Sequence, residues 1–434
     1  MHEASYKPTL KEFIARWLYS GLIALFIPLA FLNLLIKAGY RGQEYRKRKF
    51  ERFGFLPKIK QRGGLLLHCV SVGEVVAASA LVKKIRQQHP QYPVTITTTT
   101  PTGSAQVKKT FGDSVCHVYL PYDLHMAMYG LLRRVAPQKV LITEVELWPN
   151  LIHACWKANI PVYIINARLT DKSARSYAKL KTLFRPMLCK ITAVCAQGQR
   201  DFDNYMALGC PQEKLHLTNN IKFDQTLSED DQAKAVVLAE KLQLQGRTVL
   251  LGASTHDPEE KALLQSYQTL KSAFPKLLLI LTPRHPQRFS RVEKLIAGQP
   301  LKQQRLSDDR PVTADTDVLL IDAMGILKSV YHLADIAFVG GSLADKGGHN
   351  ALEAALFSKP VIMGPHLYNN PVIFETLVNA QAMVSVPNEQ QLCEQIQLWL
   401  AHPEQASAAG KAGAAVIAHN AGAIDQTLAI IGFA

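Results

Sequence analysis

The sequence predicts an α/β protein of two Rossmann-like halves behind an apolar N-terminal helix. Three observations carry that expectation. From residue 65 onward, short apolar runs alternate with helical patterns, the signature of parallel strands joined by crossover helices. The alternation stops at a stretch rich in charge and glutamine, 225–247, and restarts at 248. Ahead of both halves, residues 18–36 run for 19 positions without a charge. The implied division is an anchor over 1–40, a first domain over 41–225 and a second over 226–434.

Composition agrees. At roughly 150 residues per domain, 434 residues suit two or three domains. With 48% hydrophobic and 19% charged residues, long disorder is excluded. The net charge of +14 suits an anionic partner without choosing which. Seven cysteines without a C-x-x-C pair disfavour a disulfide framework or a cysteine zinc site, and point to free buried thiols.

The apolar run 18–36 is long enough to cross a hydrocarbon core of about 30 Å, with Arg16 and Lys37 bracketing it and Pro28 and Asn33 inside it. It is long for a signal-peptide core, and no small-x-small cleavage site follows, so a retained anchor is expected. Residues 37–62 then carry ten basic and two acidic side chains, net +8. The positive-inside rule places the bulk of the chain in the cytoplasm, and the basic segment attracts anionic lipid. Nucleic acid is disfavoured, because no recognised motif interleaves aromatics with these charges.

In the soluble part, 65–70, 94–99, 139–143, 161–165 and 191–195 read as strands, with an amphipathic helix over 74–88. A connecting helix is expected within 225–247. Strands resume at 248–254, 276–282, 317–322, 334–341 and 359–364. Ligands of such folds bind at the carboxyl ends of the strands, in a cleft between the halves.

The loops at those ends carry the chemistry-bearing residues. Ser71-Val72-Gly73-Glu74 opens a helix, and Glu74 there either caps the helix or accepts a proton. Glu144 and Glu146 alternate after another strand, so an extended segment would turn both to one side; exposed carboxylates are also common. Lys222, at the domain junction, faces an anionic substrate or is an ordinary surface lysine. Ser254 and Thr255, at an expected helix start, suit phosphate, and Arg284 offers a fork for phosphate or carboxylate. Gly340, Gly341, Gly347 and Gly348 permit irregular backbone ahead of Asn350-Ala351-Leu352-Glu353, where a carboxylate can accept hydrogen bonds from the two hydroxyls of a ribose. His285 has no metal-ligand partners at suitable spacing, so no metal is assigned. The P-loop, nucleophile-elbow and H-E-x-x-H motifs are absent from the sequence, which disfavours those enzyme classes.

Taken together, SVGE, TEVELWPN, NARLTDKS, NIKFD, GAST, PRHPQR and GGHNALEAA, in this order behind an apolar anchor, resemble the bacterial 3-deoxy-D-manno-octulosonic acid (Kdo) transferases of lipopolysaccharide synthesis. The resemblance covers nearly the whole chain. It implies a GT-B glycosyltransferase whose amino half takes the acceptor and whose carboxyl half takes the nucleotide sugar. It further implies CMP-Kdo as donor, a lipid A precursor as acceptor and no cofactor. Glu74 corresponds to the general base, and Glu144 and Lys222 to transition-state stabilisers. Pro283, Arg284, Met324, Gly325, Ile326, Asn350, Ala351, Leu352 and Glu353 correspond to CMP contacts. Ile326 stands where many relatives carry Glu, and Ala351 and Ala354 stand where prolines are familiar.

Inverting transfer is one direct displacement, so one base suffices. Desolvation would favour the neutral form of Glu74, while a helix terminus favours the carboxylate. Two rival readings remain at this level. Another GT-B enzyme, such as a UDP-sugar transferase or nucleotide-sugar 2-epimerase, would be protected thermally by UDP rather than CMP. A non-catalytic membrane adaptor would tolerate Glu74→Gln.

Overall fold

The structure is a computed structural model describing residues 6–40, 48–59, 61–227, 229–244 and 246–433. Part of the basic segment, 41–47 and residue 60, lies outside the described residues. The chain divides into two compact units, 1–222 with 422–434 and 223–421.

The first unit is built on β1 (Leu65–His68), β2 (Val94–Thr98), β3 (Cys116–Tyr119), β4 (Lys139–Thr143), β5 (Val162–Ala167), β6 (Ala193–Ala196) and β7 (Leu215–Leu217). They form one parallel sheet in the order β3-β2-β1-β4-β5-β6-β7. Successive side chains of a strand point to opposite faces. Leu65 and Leu67 therefore enter one core with Ile96, Leu141 and Ile165. Leu66 enters the other with Val140, Ile142 and Ile164. Helices cover both faces, so every residue of β1 has to be buried.

The second unit repeats the plan with β8 (Thr248–Thr255), β9 (Leu277–Pro283), β10 (Gln303–Arg305), β11 (Val318–Leu320), β12 (Ile336–Val339), β13 (Val361–Met363) and β14 (Met383–Ser385). Their order is β10-β11-β9-β8-β12-β13-β14, also parallel. Val249 and Leu251 face one core, and Leu250 the other. The connecting helix forms at Glu229–Leu242 and belongs to this unit.

One expectation is corrected. Residues 422–434, expected in the second domain, group with the first unit. Ala423, Ile424, Leu428, Ile431 and Phe433 complete the core beside Leu65 and Leu67, so their apolar stripe is spent there. The N-terminal helix spans Leu10–Tyr40, and the apolar run 18–36 lies within it. Thr9 and Glu12 start it with a capping box: Glu12 N donates to Thr9 Oγ1 at 3.3 Å and Thr9 N donates to Glu12 Oε2 at 2.7 Å. Arg16 lies inside the helix, buried, donating to Asn150 Oδ1 at 3.0 Å.

In the second unit the helix Pro403–Asn420 approaches the chain before β13 so closely that Gly410 leaves no room for a side chain: a Cβ there would lie 1.9 Å from the Ser358 carbonyl oxygen. Because the obstruction is backbone, Gly410→Ala is expected to destabilise the unit by roughly 1–3 kcal/mol. A thermal melt followed by circular dichroism checks this, and an unchanged midpoint refutes the close packing.

Candidate active site

The order of the first sheet reverses between β1 and β4, and the loops leaving these two strands diverge there. Such a switch point at the carboxyl end of a parallel sheet is where open α/β folds leave room for a ligand. Ser71-Val72-Gly73-Glu74 leaves β1, and Glu144-Val145-Glu146 leaves β4.

Ser71 is the N-cap of the helix Val72–Gln88, and its Oγ accepts from Glu74 N at 3.3 Å. The Glu74 carboxylate accepts from Val70 N at 2.9 Å, Ser71 Oγ at 2.9 Å and Thr143 Oγ1 at 2.6 Å. Ser71 is thus the cap, the Glu74 carboxylate ties back to the residue ahead of it, and Thr143 adds a partner from the neighbouring strand. Thr143 Oγ1 also lies 2.9 Å from His68 O. A hydroxyl carries one proton, and both neighbours are acceptors. A proton on Glu74 would complete a chain in which Glu74 donates to Thr143 and Thr143 donates to His68 O.

The loop after β4 is not the extended segment the alternation suggested. Glu144 takes φ 57°, the left-handed region that a non-glycine residue rarely adopts. Its backbone is tied at three points: Glu144 N donates to Ile165 O at 3.1 Å, and Glu144 O accepts from Arg168 N and Tyr205 Oη, both at 3.4 Å. Burial raises the Glu144 pKa, opposed chiefly by Lys222. Burial lowers the Lys222 pKa, opposed chiefly by Glu144. Each charge is thus the largest support of the other, and Glu74 acts on both.

Lys222 reaches this position through asparagines. Asn166, itself at φ 49°, accepts from Ile221 N at 3.1 Å, and Asn220 Oδ1 accepts from Lys222 N at 3.0 Å. Glu74, Glu144 and Lys222 are therefore brought together. Glu146 joins them electrostatically: loss of hydration, then the Glu74 carboxylate, push its pKa up to about 7. Thr143 and Arg168 stand within the motifs TEVELWPN and NARLTDKS without a pattern that singles them out, and Tyr205, inside a helix, carries no sequence signal.

In the second unit the sheet order reverses between β8 and β12. Here the organiser is Glu259, another residue the sequence did not single out. Its carboxylate accepts from the backbone N–H of His256 (2.9 Å), Gly341 (2.9 Å), Ser342 (2.9 Å), Leu343 (3.0 Å) and Ala344 (3.1 Å). It pins the glycine-rich loop after β12 to the end of β8. Gly341, at φ 73°, stands where a Cβ would lie 2.9 Å from the His349 ring. That ring stacks on His256, with the two Nε2 atoms 2.9 Å apart.

Thr255 is not at a helix start: it ends β8, fully buried, and the next helix begins at Glu259. Pro283 is buried at the end of β9, while the Arg284 side chain is exposed and its charge acts on His349 and Glu353. Asn350 Nδ2 donates to Glu353 Oε1 at 3.1 Å, and burial raises the Glu353 pKa. Ala351 and Leu352 point into the core, leaving only their backbone for a ligand. Met324 is exposed, Gly325 takes φ 85°, and Ile326 packs against the core. Among the described residues, no three His, Cys, Asp or Glu side chains are grouped as a metal site requires.

Comparison with known proteins follows this division. Residues 47–225 match the family described as 3-deoxy-D-manno-octulosonic-acid transferase (kdotransferase), and residues 252–416 match glycosyl transferases group 1. The 3-deoxy-D-manno-octulosonic acid transferase of Haemophilus influenzae is 39% identical over 421 residues, covering 96% of this chain and 98% of that protein. The Bordetella pertussis protein of the same name is 31% identical, covering 90% and 92%. The solved structure of UDP-GlcNAc 2-epimerase from Neisseria meningitidis covers 86% of this chain and 99% of its own, with a TM-score of 0.57 at 14% identity. That likeness concerns the fold alone and agrees with the GT-B class.

The raised pKa of Glu146 has a signed consequence. The folded state holds this proton more tightly than the unfolded chain, so stability falls as pH rises from the ordinary carboxylate range to about 7. Glu146→Gln should raise the melting temperature relative to the parent at about pH 8, with the gap closing towards about pH 5. A gap independent of pH contradicts the shift.

Proposed function

The chain belongs to the 3-deoxy-D-manno-octulosonic acid transferase family of glycosyltransferases, and we propose that it transfers Kdo from CMP-Kdo to a lipid A precursor with inversion. The observation that carries the mechanism is the Glu74–Thr143 pair at the switch point of the first sheet. The acceptor hydroxyl is a weak nucleophile. Glu74 takes its proton as the oxygen bonds to the anomeric carbon of Kdo, and the bond from that carbon to the CMP phosphate breaks on the opposite face. The Thr143 hydroxyl receives the transferred proton's hydrogen bond and passes its own to His68 O. Lys222, supported by Glu144, steadies the negative charge that the carboxylate sugar and the acceptor phosphates bring.

CMP is held by the second unit. Arg284 meets the phosphate, the backbone of Met324-Gly325-Ile326 lines the nucleotide, and Glu353, oriented by Asn350, accepts from the ribose hydroxyls. Pro283, Ala351 and Leu352 shape this surface through their backbone. No step requires a metal or cofactor. The apolar N-terminal helix holds the protein on the bacterial inner membrane with its catalytic units in the cytoplasm, where the acceptor resides in the same bilayer.

The test is a mass-shift assay with detergent-solubilised protein, CMP-Kdo and a tetra-acylated lipid A precursor. The parent should add Kdo mass, and Glu74→Gln should lower the rate roughly 10²–10⁴-fold. No mass gain from a folded, CMP-binding parent overturns the acceptor assignment; equal rates in the two overturn the base. Thr143→Val should lower kcat roughly 10–100-fold with KM little changed, and Thr143→Ser should restore it. A loss confined to KM contradicts the role given to Thr143.

A further inference from the structure

The helix Leu10–Tyr40 is long and apolar enough to cross a membrane, yet it is not free to do so. One face lies along the first unit. Arg16 and Ser20 are buried, and Ile23, Ile27, Ala30 and Phe31 follow on the same stripe, half-buried, at the spacing of one helix face. The contact runs from Arg16 to Phe31, about 22 Å along the axis.

The fastening is polar at one end and aromatic at the other. Arg16 Nη1 donates to Asn150 Oδ1 at 3.0 Å, and Asn150 Nδ2 donates to Ser20 Oγ at 2.9 Å. Asn150 is held in turn by Asp123, whose carboxylate accepts from Asn150 N and Leu151 N at 2.9 Å each. At the far end the Phe31 and Phe53 rings lie 5.5 Å apart, and Phe53 meets Tyr122 at 5.4 Å.

The opposite face carries Leu18, Leu22, Leu25, Leu29, Leu32 and Ile36, spaced by three and four, all exposed. Leu25 is 73% exposed, and Met126, beside Trp17 through His125, is 80% exposed. Basic residues stand at the start of this face: Lys7 and Lys11 are exposed there.

We infer that this helix lies in the plane of an anionic bilayer surface, docked sidelong on the first unit, and does not cross the bilayer. A crossing helix that kept its dock would draw Asp123, Asn150 and the start of the helix Pro149–Lys157 into hydrocarbon. A crossing helix that left its dock would strip Arg16 and Ser20 of their partner Asn150 and uncover the stripe of Ile23, Ile27 and Phe31 that lies against the unit. In-plane seating satisfies both: the polar latch faces protein, the leucine stripe faces acyl chains, and the flanking lysines meet anionic headgroups. The inference is independent of the catalytic assignment. It also makes structural sense of Asn150, which lies four positions after Glu146 and ties the anchor to the loop that carries the acidic site.

The test is depth-dependent fluorescence quenching on the full-length chain, in the Trp17→Phe background, with one tryptophan added by Leu18→Trp, Leu25→Trp or Leu32→Trp and its quenching read as the difference from that background, which retains Trp148, Trp156 and Trp399. These positions are exposed, so folding is not at issue. The protein is reconstituted in vesicles of phosphatidylethanolamine and phosphatidylglycerol brominated at shallow or deep acyl positions. In-plane seating gives one shared shallow depth for all three reporters. Crossing places residue 25 about 10 Å deeper than residues 18 and 32, and that profile overturns the inference. Absence of quenching at all three, with the face covered by a second copy of the chain instead, overturns it equally. Transfer activity plays no part in the readout.

Discussion

A parallel strand covered by helices on both faces has no wet side. Every residue of β1 and all but the first of β4 are buried, and their alternating leucines, valines and isoleucines feed two cores at once. Polar chemistry is therefore expelled from the strand body to its carboxyl end, where the chain leaves the sheet. Both units obey this constraint, and in both the chemistry gathers where the strand order reverses.

The two units use a carboxylate at this same place to different ends. Glu259, in the segment following β8, is consumed by five backbone amides and acts as a rivet for the glycine-rich loop. Glu74, in the segment following β1, takes one backbone amide and two hydroxyls. Hydroxyls can reverse their role from donor to acceptor; amides cannot. A carboxylate facing five amides has no place for a proton, whereas one facing Thr143 does. The same topological slot thus yields a structural anchor in one unit and a candidate base in the other.

The loop after β4 links this chemistry to the apolar N-terminal helix. Glu144 and Glu146 sit at its start, and Asn150, in the first turn of the helix that ends it, receives Arg16 from the anchor. The buried arginine marks the face of this apolar helix that lies against protein. The left-handed backbone of Glu144, tied through Ile165, Arg168 and Tyr205, keeps the loop's geometry set from both sides.

Much of this was legible in the sequence. The ten strands recognised from apolar runs are the interior ones; the four left unmarked, β3, β7, β10 and β14, are the four sheet edges. Edge strands need not be apolar on both faces, so Cys116-His117-Val118-Tyr119 or Gln303-Gln304-Arg305 carries no comparable signal. Local pattern determined the fold class, the apolar N-terminal helix and the loops bearing Glu74, Glu144, Lys222 and Glu353. Only the tertiary structure decided that Thr143 serves Glu74, that Glu259 pins a loop some eighty residues away, that residues 422–434 finish the first core, and that Arg16 belongs to a dock. The reason is physical: periodicity reports which side of an element is apolar, whereas hydrogen-bond partners are chosen by strand order, which no local window of sequence contains.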